Sequence, residues 1–146
     1  MSAATQSVFR NPVAKANGWI NEITKRMKHG DKNEALQALR AVLHGLRDRL
    51  TVGEAAQLSA QLPLVIRGIF FENFRPHAMP IHHGGVDEFL DEVGAHTPRL
   101  SPREVKRAVQ IVFDILAHHV STGEVEDIAA ILPTELREFW TETVTD

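Results

Sequence analysis

Apolar residues recur at alternating steps of three and four along most of this chain, which is the spacing of one face of an α-helix. The first such stripe comprises Val13, Ala16, Ile20, Ile23 and Met27. Asn11 followed by Pro12 is typical of a helix start, and Gly30 is typical of a helix end. The pattern therefore predicts a first helix from Pro12 onward, and residues 1–11 are expected to form a flexible tail.

Four further helix starts are marked by a cap residue that precedes a glutamate by three positions. They are Asp31–Glu34, Thr51–Glu54, Ser101–Glu104 and Ser121–Glu124. Each is followed by a new apolar stripe, and Pro63 and Pro133 then mark the start of one more helix each. No stretch alternates apolar and polar residues for long enough to predict a strand. The sequence therefore predicts an all-α fold.

The second half of the chain repeats the first at an offset of 70 residues. When residues 15–76 are set against 85–146 without a gap, 12 of the 62 pairs are identical. Ordinary composition would give roughly four. The repeat predicts two tandem four-helix units, residues 12–76 and 86–146, joined by a Pro-, Gly- and His-containing connector over 77–85. Because one unit is too thin to bury all of its stripes, the two are expected to pack into one compact domain with approximate two-fold pseudo-symmetry.

The last helices of the two units differ in their apolar content. Pro63–Phe74 is apolar nearly all round, whereas Pro133–Val144 has a polar face. A helix that is apolar on every side is buried on every side, so the first is predicted to be central and the second peripheral. The alternative is that Phe70, Phe71 and Phe74 form an exposed surface for a protein partner.

The run from Leu50 to Pro76, LTVGEAAQLSAQLPLVIRGIFFENFRP, combines a Leu-Pro step, an arginine four residues after that proline, and an aromatic cluster. Residues Val120–Trp140, VSTGEVEDIAAILPTELREFW, fit the same pattern. In these features the chain resembles the uncharacterised bacterial proteins of the domain of unknown function 2267 family, over nearly its whole length after the tail. The resemblance implies a soluble, duplicated, all-helical domain, and it implies no established activity, substrate or catalytic residue.

The overall charge limits the classes of partner. The chain of 146 residues has a formal net charge of −3, so binding of nucleic acid is unfavourable. It contains no cysteine, which excludes disulfides and thiolate chemistry. The first twelve residues lack the pattern of a signal peptide, and no apolar run approaches the roughly 20 residues of a membrane span. We therefore expect a cytoplasmic protein that does not associate with a membrane.

Histidines and arginines are the candidate binding residues. His77, His82 and His83 in the connector are weak candidates for a metal site, because a loop rich in proline and glycine offers two converging ligands at best. A solvated polar loop is the simpler interpretation. Arg67 and Arg137 occupy matching positions. We expect them to bind a carboxylate or helix-end carbonyls, with an anion clamp as the functional alternative.

No nucleophile elbow, phosphate-binding loop or metalloprotease motif is present in the sequence, and no cofactor is predicted. The leading hypothesis is a non-enzymatic module that binds a protein partner or forms a homo-oligomer. The alternative is a small-molecule or metal-binding protein, which could be an enzyme, with a site in the cleft between the repeats. Weak nucleic-acid binding is a second alternative. It would use a basic patch of Lys25, Arg26, Lys28, Arg40, His44 and Arg47.

Overall fold

The computed structural model describes residues 2–28, 30–82 and 84–144. Within them the chain forms eight α-helices and no strand, which confirms the predicted all-α fold class. The helices are α1 (Ala3–Met27), α2 (Lys32–Asp48), α3 (Val52–Ala60), α4 (Leu64–Phe70), α5 (Val86–Ala95), α6 (Pro102–His119), α7 (Thr122–Ile131) and α8 (Thr134–Val144). A short 3₁₀ turn, Pro76–Ala78, lies between α4 and α5. Each of these helices is too short or too polar to cross a lipid bilayer.

Side-chain caps begin four of the helices at the predicted positions. The side-chain oxygens of Asp31, Thr51, Ser101 and Ser121 accept hydrogen bonds from the backbone N–H groups three residues later. Each bond satisfies an N–H group that has no acceptor within its own helix. The spacing of cap and glutamate therefore predicts the starts of α2, α3, α6 and α7 correctly.

The long helices α2 and α6 form the centre of the fold. They contact each other, and each also packs against α1 and α5. α4 packs on α2, α8 packs on α6, and the short helices α3 and α7 contact each other. Fully buried side chains of the two central helices include Leu39, Val42, Leu46, Val109, Val112 and Leu116. The apolar stripes of all eight helices meet in one continuous core.

The first helix is longer than the sequence pattern predicts. The prediction of a flexible tail over residues 1–11 is wrong for residues 3–11, which belong to α1. The Ser2 hydroxyl caps this end and accepts a hydrogen bond from the Thr5 backbone N–H at 3.1 Å. Pro12 lies inside the helix, where its ring removes one backbone hydrogen bond while the turns on either side continue. The start of α1 therefore extends beyond the core, and residues 2–11 are all exposed.

The fourth and eighth helices are buried to a similar degree. α4 buries Ile66 and Phe70 but leaves Leu64 61% exposed. α8 buries Phe139 and Trp140 among its apolar residues. The prediction of a central fourth helix and a peripheral eighth helix is therefore wrong. Each packs one face on its long neighbour, α2 or α6, and turns the other face to solvent.

Candidate functional site

Two glutamates meet where α3 and α7 pack together. Glu54 lies in the first turn of α3, and Glu124 lies in the first turn of α7. The two residues are 9% and 4% exposed, respectively. The Oε1 atom of each is buried and has no hydrogen-bond partner among the described residues. A buried acceptor without a donor costs about 1–3 kcal/mol, and more when it is charged. Such a pair therefore needs an explanation beyond packing.

The exposed Asp127, one turn after Glu124 on α7, completes this group, which we call the acid cluster. One carboxylate oxygen from each of the three residues lies within 4.8 Å of the other two. Burial raises the pKa of Glu124 to about 8, and the nearby negative charges of Glu54 and Asp127 contribute to the same shift. Two enclosed acids and one solvent-accessible acid therefore converge on one point.

The capping pattern does not account for these glutamate side chains. At the start of α6 both bonds of a capping box form, and the Glu104 carboxylate accepts a hydrogen bond from the Ser101 backbone N–H at 2.8 Å. At the starts of α3 and α7 only the first bond forms among the described residues. The Ser121 backbone N–H donates instead to Gln61 Oε1 at 2.7 Å. The interpretation of the two glutamates as local caps is therefore incomplete, because their carboxylates face each other.

Arg67 and Arg137 each bind the end of the preceding helix. Arg67 donates from Nε to the Ser59 carbonyl at 2.9 Å and from Nη2 to the Leu62 carbonyl at 3.0 Å. Arg137 donates from Nη2 to the Leu132 carbonyl at 3.1 Å. Cations are favoured at these positions, because the last carbonyls of a helix lack partners within it. Arg67 thus ties α4 to the end of α3, and Arg137 ties α8 to the end of α7.

The connector histidines do not converge on a site within the described residues. His77, in the 3₁₀ turn, and His82 are both exposed, and His83 lies outside the described residues. In the part of the chain that the structure describes, the acid cluster is the one group of three His, Asp or Glu side chains whose ligand atoms converge. His77 and His82 therefore lack the third ligand that a metal site needs there.

The aromatic cluster that follows Pro63 is turned inward. Phe70 is fully buried, and Phe71 and Phe74 are half-buried. The rings make edge-to-face contacts, with centroids 5.1 Å apart for Phe70 and Phe71 and 5.2 Å apart for Phe71 and Phe74. The Arg47 guanidinium lies 5.6 Å from the centroid of the Phe74 ring. The hypothesis of a partner surface made by Phe70, Phe71 and Phe74 is therefore wrong for Phe70, whose ring a partner cannot reach.

Several basic residues of the hypothetical nucleic-acid patch are already paired. Arg47 is 2% exposed, and its Nη1 atom donates to the Glu72 carbonyl at 2.8 Å. Arg40 binds the Glu72 carboxylate at 3.0 Å, and Arg26 binds the Asp114 carboxylate at 2.9 Å. These contacts reduce the positive charge that a phosphate backbone would need.

Exposed apolar side chains cluster instead on the first part of α1. Val8, Phe9 and Val13 are 64%, 62% and 54% exposed. At roughly 100° per residue they fall on the same side of α1 as the buried Trp19 and Ile23. The buried stripe of α1 therefore continues into solvent. We call residues 3–15 the overhang.

The overhang is positively charged and borders a groove. It contains Arg10 and Lys15, and the first acidic residue of the chain is Glu22. Val8 and Lys15 line a groove of about 330 Å³ together with Leu64, the exposed first residue of α4. The exposed apolar residues of the overhang thus lie beside the cation Lys15, and Leu64 of α4 adds to the apolar surface.

A second groove has the opposite charge. It lies between α5 and the start of α6 and has a volume of about 550 Å³. Leu90, Leu100 and Val105 contribute apolar surface, and the exposed acids Asp87 and Asp91 lie at its edge. We call it the acidic groove, because it combines an apolar floor with negative charge.

Comparison with protein families identifies the relatives of this fold. Residues 16–139 match the model of the family described as Uncharacterized conserved protein (DUF2267). The chain belongs to this family. The match confirms the resemblance drawn from the Leu-Pro, arginine and aromatic pattern, and it begins just after the overhang. A comparison with curated proteins finds no match. The family description names no reaction, and the acid cluster and the two grooves are the features of this chain that bear on its function.

Two features of the site are missed by the sequence interpretation. The overhang is taken for a tail because Pro12 resembles a helix start, although Val8, Phe9 and Val13 already continue the helical stripe. Asp127 is missed because its counterpart in the first repeat is Gln57, so no repeated acid draws attention to it. The identity of the two glutamates at the offset of 70 is a signal that was available, but their contact depends on the packing of α3 on α7.

Proposed function

We propose that this protein is a non-enzymatic helical module that associates with a second copy of itself through α1. The observation that carries the proposal is the overhang, where the apolar face of α1 continues beyond the core. Val8, Phe9 and Val13 each leave more than half of their area in water. Complete burial of one such side chain is worth about 1.5–3 kcal/mol. Three on one helix face therefore favour a covering partner.

The frame that presents the overhang is a pair of four-helix repeats. In support, α6, α7 and α8 begin 70 residues after α2, α3 and α4. The contacts also interchange: α1 packs on α2, α4 and α6, and α5 packs on α6, α8 and α2. A two-fold pseudo-symmetry would exchange α2 with α6 and α3 with α7. The contacts α2–α6 and α3–α7 would therefore lie beside the axis. α5 begins at Val86, the counterpart of Ala16, so the overhang has no counterpart in the second repeat.

The acidic groove of a second copy is the occupant that best suits the overhang. Its apolar floor matches the apolar strip, and Asp87 and Asp91 offer charges opposite to Lys15 and Arg10. Two overhangs packed on each other would bring like charges together, which is unfavourable. If each copy inserts its overhang into the groove of the other, the contact closes as a symmetric dimer. The overhang precedes residues 16–139, so this association would be an addition to the family frame.

Sedimentation velocity of the full chain over a wide concentration range tests the proposal. We expect a reversible dimer that weakens as salt is added, because the charges that flank the strip are exposed and easily screened. Phe9→Asp should leave a monomer at every concentration, since it introduces a charge into the apolar contact. Val52→Asp is the matched control: Val52 is 43% exposed on α3, outside both grooves, and its replacement should leave the dimer intact.

Charge-reversal variants test whether the overhang binds the acidic groove of the partner copy. Lys15→Glu and Asp91→Lys should each weaken the dimer, and the double variant should recover part of the loss because the pair is restored with opposite polarity. A chain that sediments as a monomer at all concentrations would overturn the proposal. So would a dimer that Phe9→Asp leaves unchanged. A dimer that Phe9→Asp dissociates but Asp91→Lys does not affect would assign the overhang a different site on the partner copy and refute the role of the acidic groove.

A further inference from the structure

The acid cluster has the composition of a cation site. Its ligand atoms are three carboxylate oxygens, from Glu54, Glu124 and Asp127. Hard divalent cations such as Mg²⁺, Mn²⁺ and Ca²⁺ prefer oxygen ligands, whereas softer metals prefer imidazole or thiolate. The cluster offers neither nitrogen nor sulfur. The composition of the acid cluster therefore favours a hard divalent cation.

The spacing of the three oxygens also fits one ion. They lie within 4.8 Å of one another. Two ligands on opposite sides of an ion are separated by about twice the metal–oxygen distance, or roughly 4–5 Å for bonds of 2.0–2.6 Å. A single cation can therefore contact all three without a large rearrangement. The exposed Asp127 provides the entry side, where water can complete the coordination shell.

Burial gives the independent reason to expect a ligand. Acidic residues often gather on surfaces without binding anything, but Glu54 and Glu124 are 9% and 4% exposed. Their Oε1 atoms have no donor among the described residues. Both side chains also forgo the capping-box bond that Glu104 makes in the same position of α6. Two enclosed acceptors without donors call for a positive charge between them.

We propose that Glu54, Glu124 and Asp127 bind one hard divalent cation at the contact between α3 and α7. The ion would offset the negative charge of two carboxylates that packing encloses. Because its ligands come from both halves of the chain, the cation would join α3 to α7. Binding to the folded chain alone would stabilise it in proportion to the logarithm of the cation concentration.

Titration with Mn²⁺ tests the site, with free Mn²⁺ followed by electron paramagnetic resonance at pH 8. We expect saturable binding of one ion per chain, competition by Mg²⁺ or Ca²⁺, and a higher thermal unfolding midpoint when the ion is bound. Binding should release protons and weaken at pH 6, because the glutamates must be deprotonated to act as ligands. Asp127→Asn should reduce the affinity by about tenfold or more, since each carboxylate contributes charge to the site.

Matched variants separate this site from general attraction of cations to acids. Glu126→Gln removes a neighbouring exposed acid of α7 outside the cluster and should leave the affinity unchanged. Glu54→Gln and Glu124→Gln keep the side-chain shape and should abolish binding, while unfolding in a chelator confirms that both variants fold. The proposal is overturned if wild type shows no saturable binding at millimolar Mn²⁺. It is equally overturned if Asp127→Asn and Glu126→Gln bind as wild type does.

Discussion

The C-terminal ends of the two central helices, α2 and α6, carry different side chains at corresponding positions. Near the end of α2, the buried Arg47 donates to the carbonyl oxygens of Phe70 and Glu72 at 2.6 and 2.8 Å. His44 Nε2 lies 2.7 Å from the Ile69 carbonyl oxygen. At the matching positions of α6 stand Ala117 and Asp114, neither of which can donate to a carbonyl at neutral pH. The end of α2 thus supplies donors at two positions where α6 has none.

This difference accounts for the end of α4, which lies four residues before the position that corresponds to the end of α8 at the sequence offset of 70. α4 ends at Phe70, whereas α8 continues to Val144, the counterpart of Phe74. Carbonyls at a helix end need donors from outside the helix. α2 supplies them through His44 and Arg47, so the chain can leave α4 and turn toward Pro76. Ala117 and Asp114 offer no such donors at the corresponding positions of α6, and there α8 continues as a helix.

The largest expected effect comes from removing the donor that ends α4. Arg47→Met keeps the length of the side chain but leaves two carbonyl oxygens without a donor, one of them on the buried Phe70. We expect a loss of about 3 kcal/mol in the free energy of unfolding, measured by urea denaturation. Arg40→Met is the matched control. Its ion pair with Glu72 is part-exposed, so the loss should stay below about 1 kcal/mol. Equal losses in the two variants would refute this account of the α4 end.

The acid cluster should make stability depend on pH in the opposite sense to an ordinary ion pair. The pKa of Glu124 is raised to about 8 by burial and by Glu54 and Asp127. The folded chain therefore holds a proton that the unfolded chain releases above about pH 4.5. In the presence of a chelator, the free energy of unfolding should fall as pH rises from about 5 to 8, by at most about 1.4 kcal/mol per pH unit.

Replacing either glutamate removes that dependence. Glu124→Gln should remove the fall in the free energy of unfolding toward pH 8 and raise its value at pH 8 by roughly 1–3 kcal/mol. Glu126→Gln should follow the wild-type curve, because its side chain is exposed outside the cluster. A wild-type profile that is flat between pH 5 and 8 with the chelator present would mean that no proton is held between α3 and α7.

α3 lacks the third acid that α7 contributes to the acid cluster, and a single substitution can add it. Gln57 occupies the position in α3 that Asp127 occupies in α7, and both are exposed. If the repeats pair as proposed, Gln57→Asp adds a fourth carboxylate to the acid cluster. We expect Mn²⁺ to bind about three- to tenfold more tightly, because affinity rises with the charge of the ligand set. Ala56→Glu, which copies the neighbouring Glu126 instead, should leave the affinity unchanged. The same affinity in both variants would argue against two-fold pairing of α3 and α7.

The sequence predicts the parts of this molecule that local chemistry determines. Caps such as Asp31 and Ser101 act on backbone groups three residues away, so their spacing alone predicts the helix starts. The acid cluster could not be predicted in this way, because Glu54 and Glu124 are 70 residues apart and meet only through the packing of two short helices. The burial of Phe70 agrees with the predicted burial of this apolar helix, but the exposure of Leu64 on the same helix could not be predicted, because it depends on which helices cover each face. Conversely, Pro12 gave a misleading local signal, since an interior proline removes a backbone hydrogen bond and yet α1 continues on both sides of it.

The smallest expected effect returns to the α2 end. Burial lowers the pKa of His44, and the nearby Arg47 lowers it further, against the opposing influence of the Ile69 carbonyl, Glu72 and Asp48. The folded chain thus keeps His44 neutral while the unfolded chain gains a proton below about pH 6.5. Stability from this group is therefore lost as pH falls from about 6.5 toward the lower folded-state pKa.

The contribution of His44 is measurable once the opposing one of the acid cluster is removed. In the Glu124→Gln background, the free energy of unfolding should fall on acidification from pH 7 to 5. Adding His44→Gln should reduce that fall by about 1 kcal/mol or less, because the glutamine amide can still donate to the Ile69 carbonyl but cannot gain a proton. Asp114→Asn is the matched change in α6, whose aspartate contacts the part-buried Arg26 and the exposed His118. If His44→Gln leaves the fall in the free energy of unfolding between pH 7 and 5 unchanged, the end of α4 does not depend on a neutral His44 imidazole.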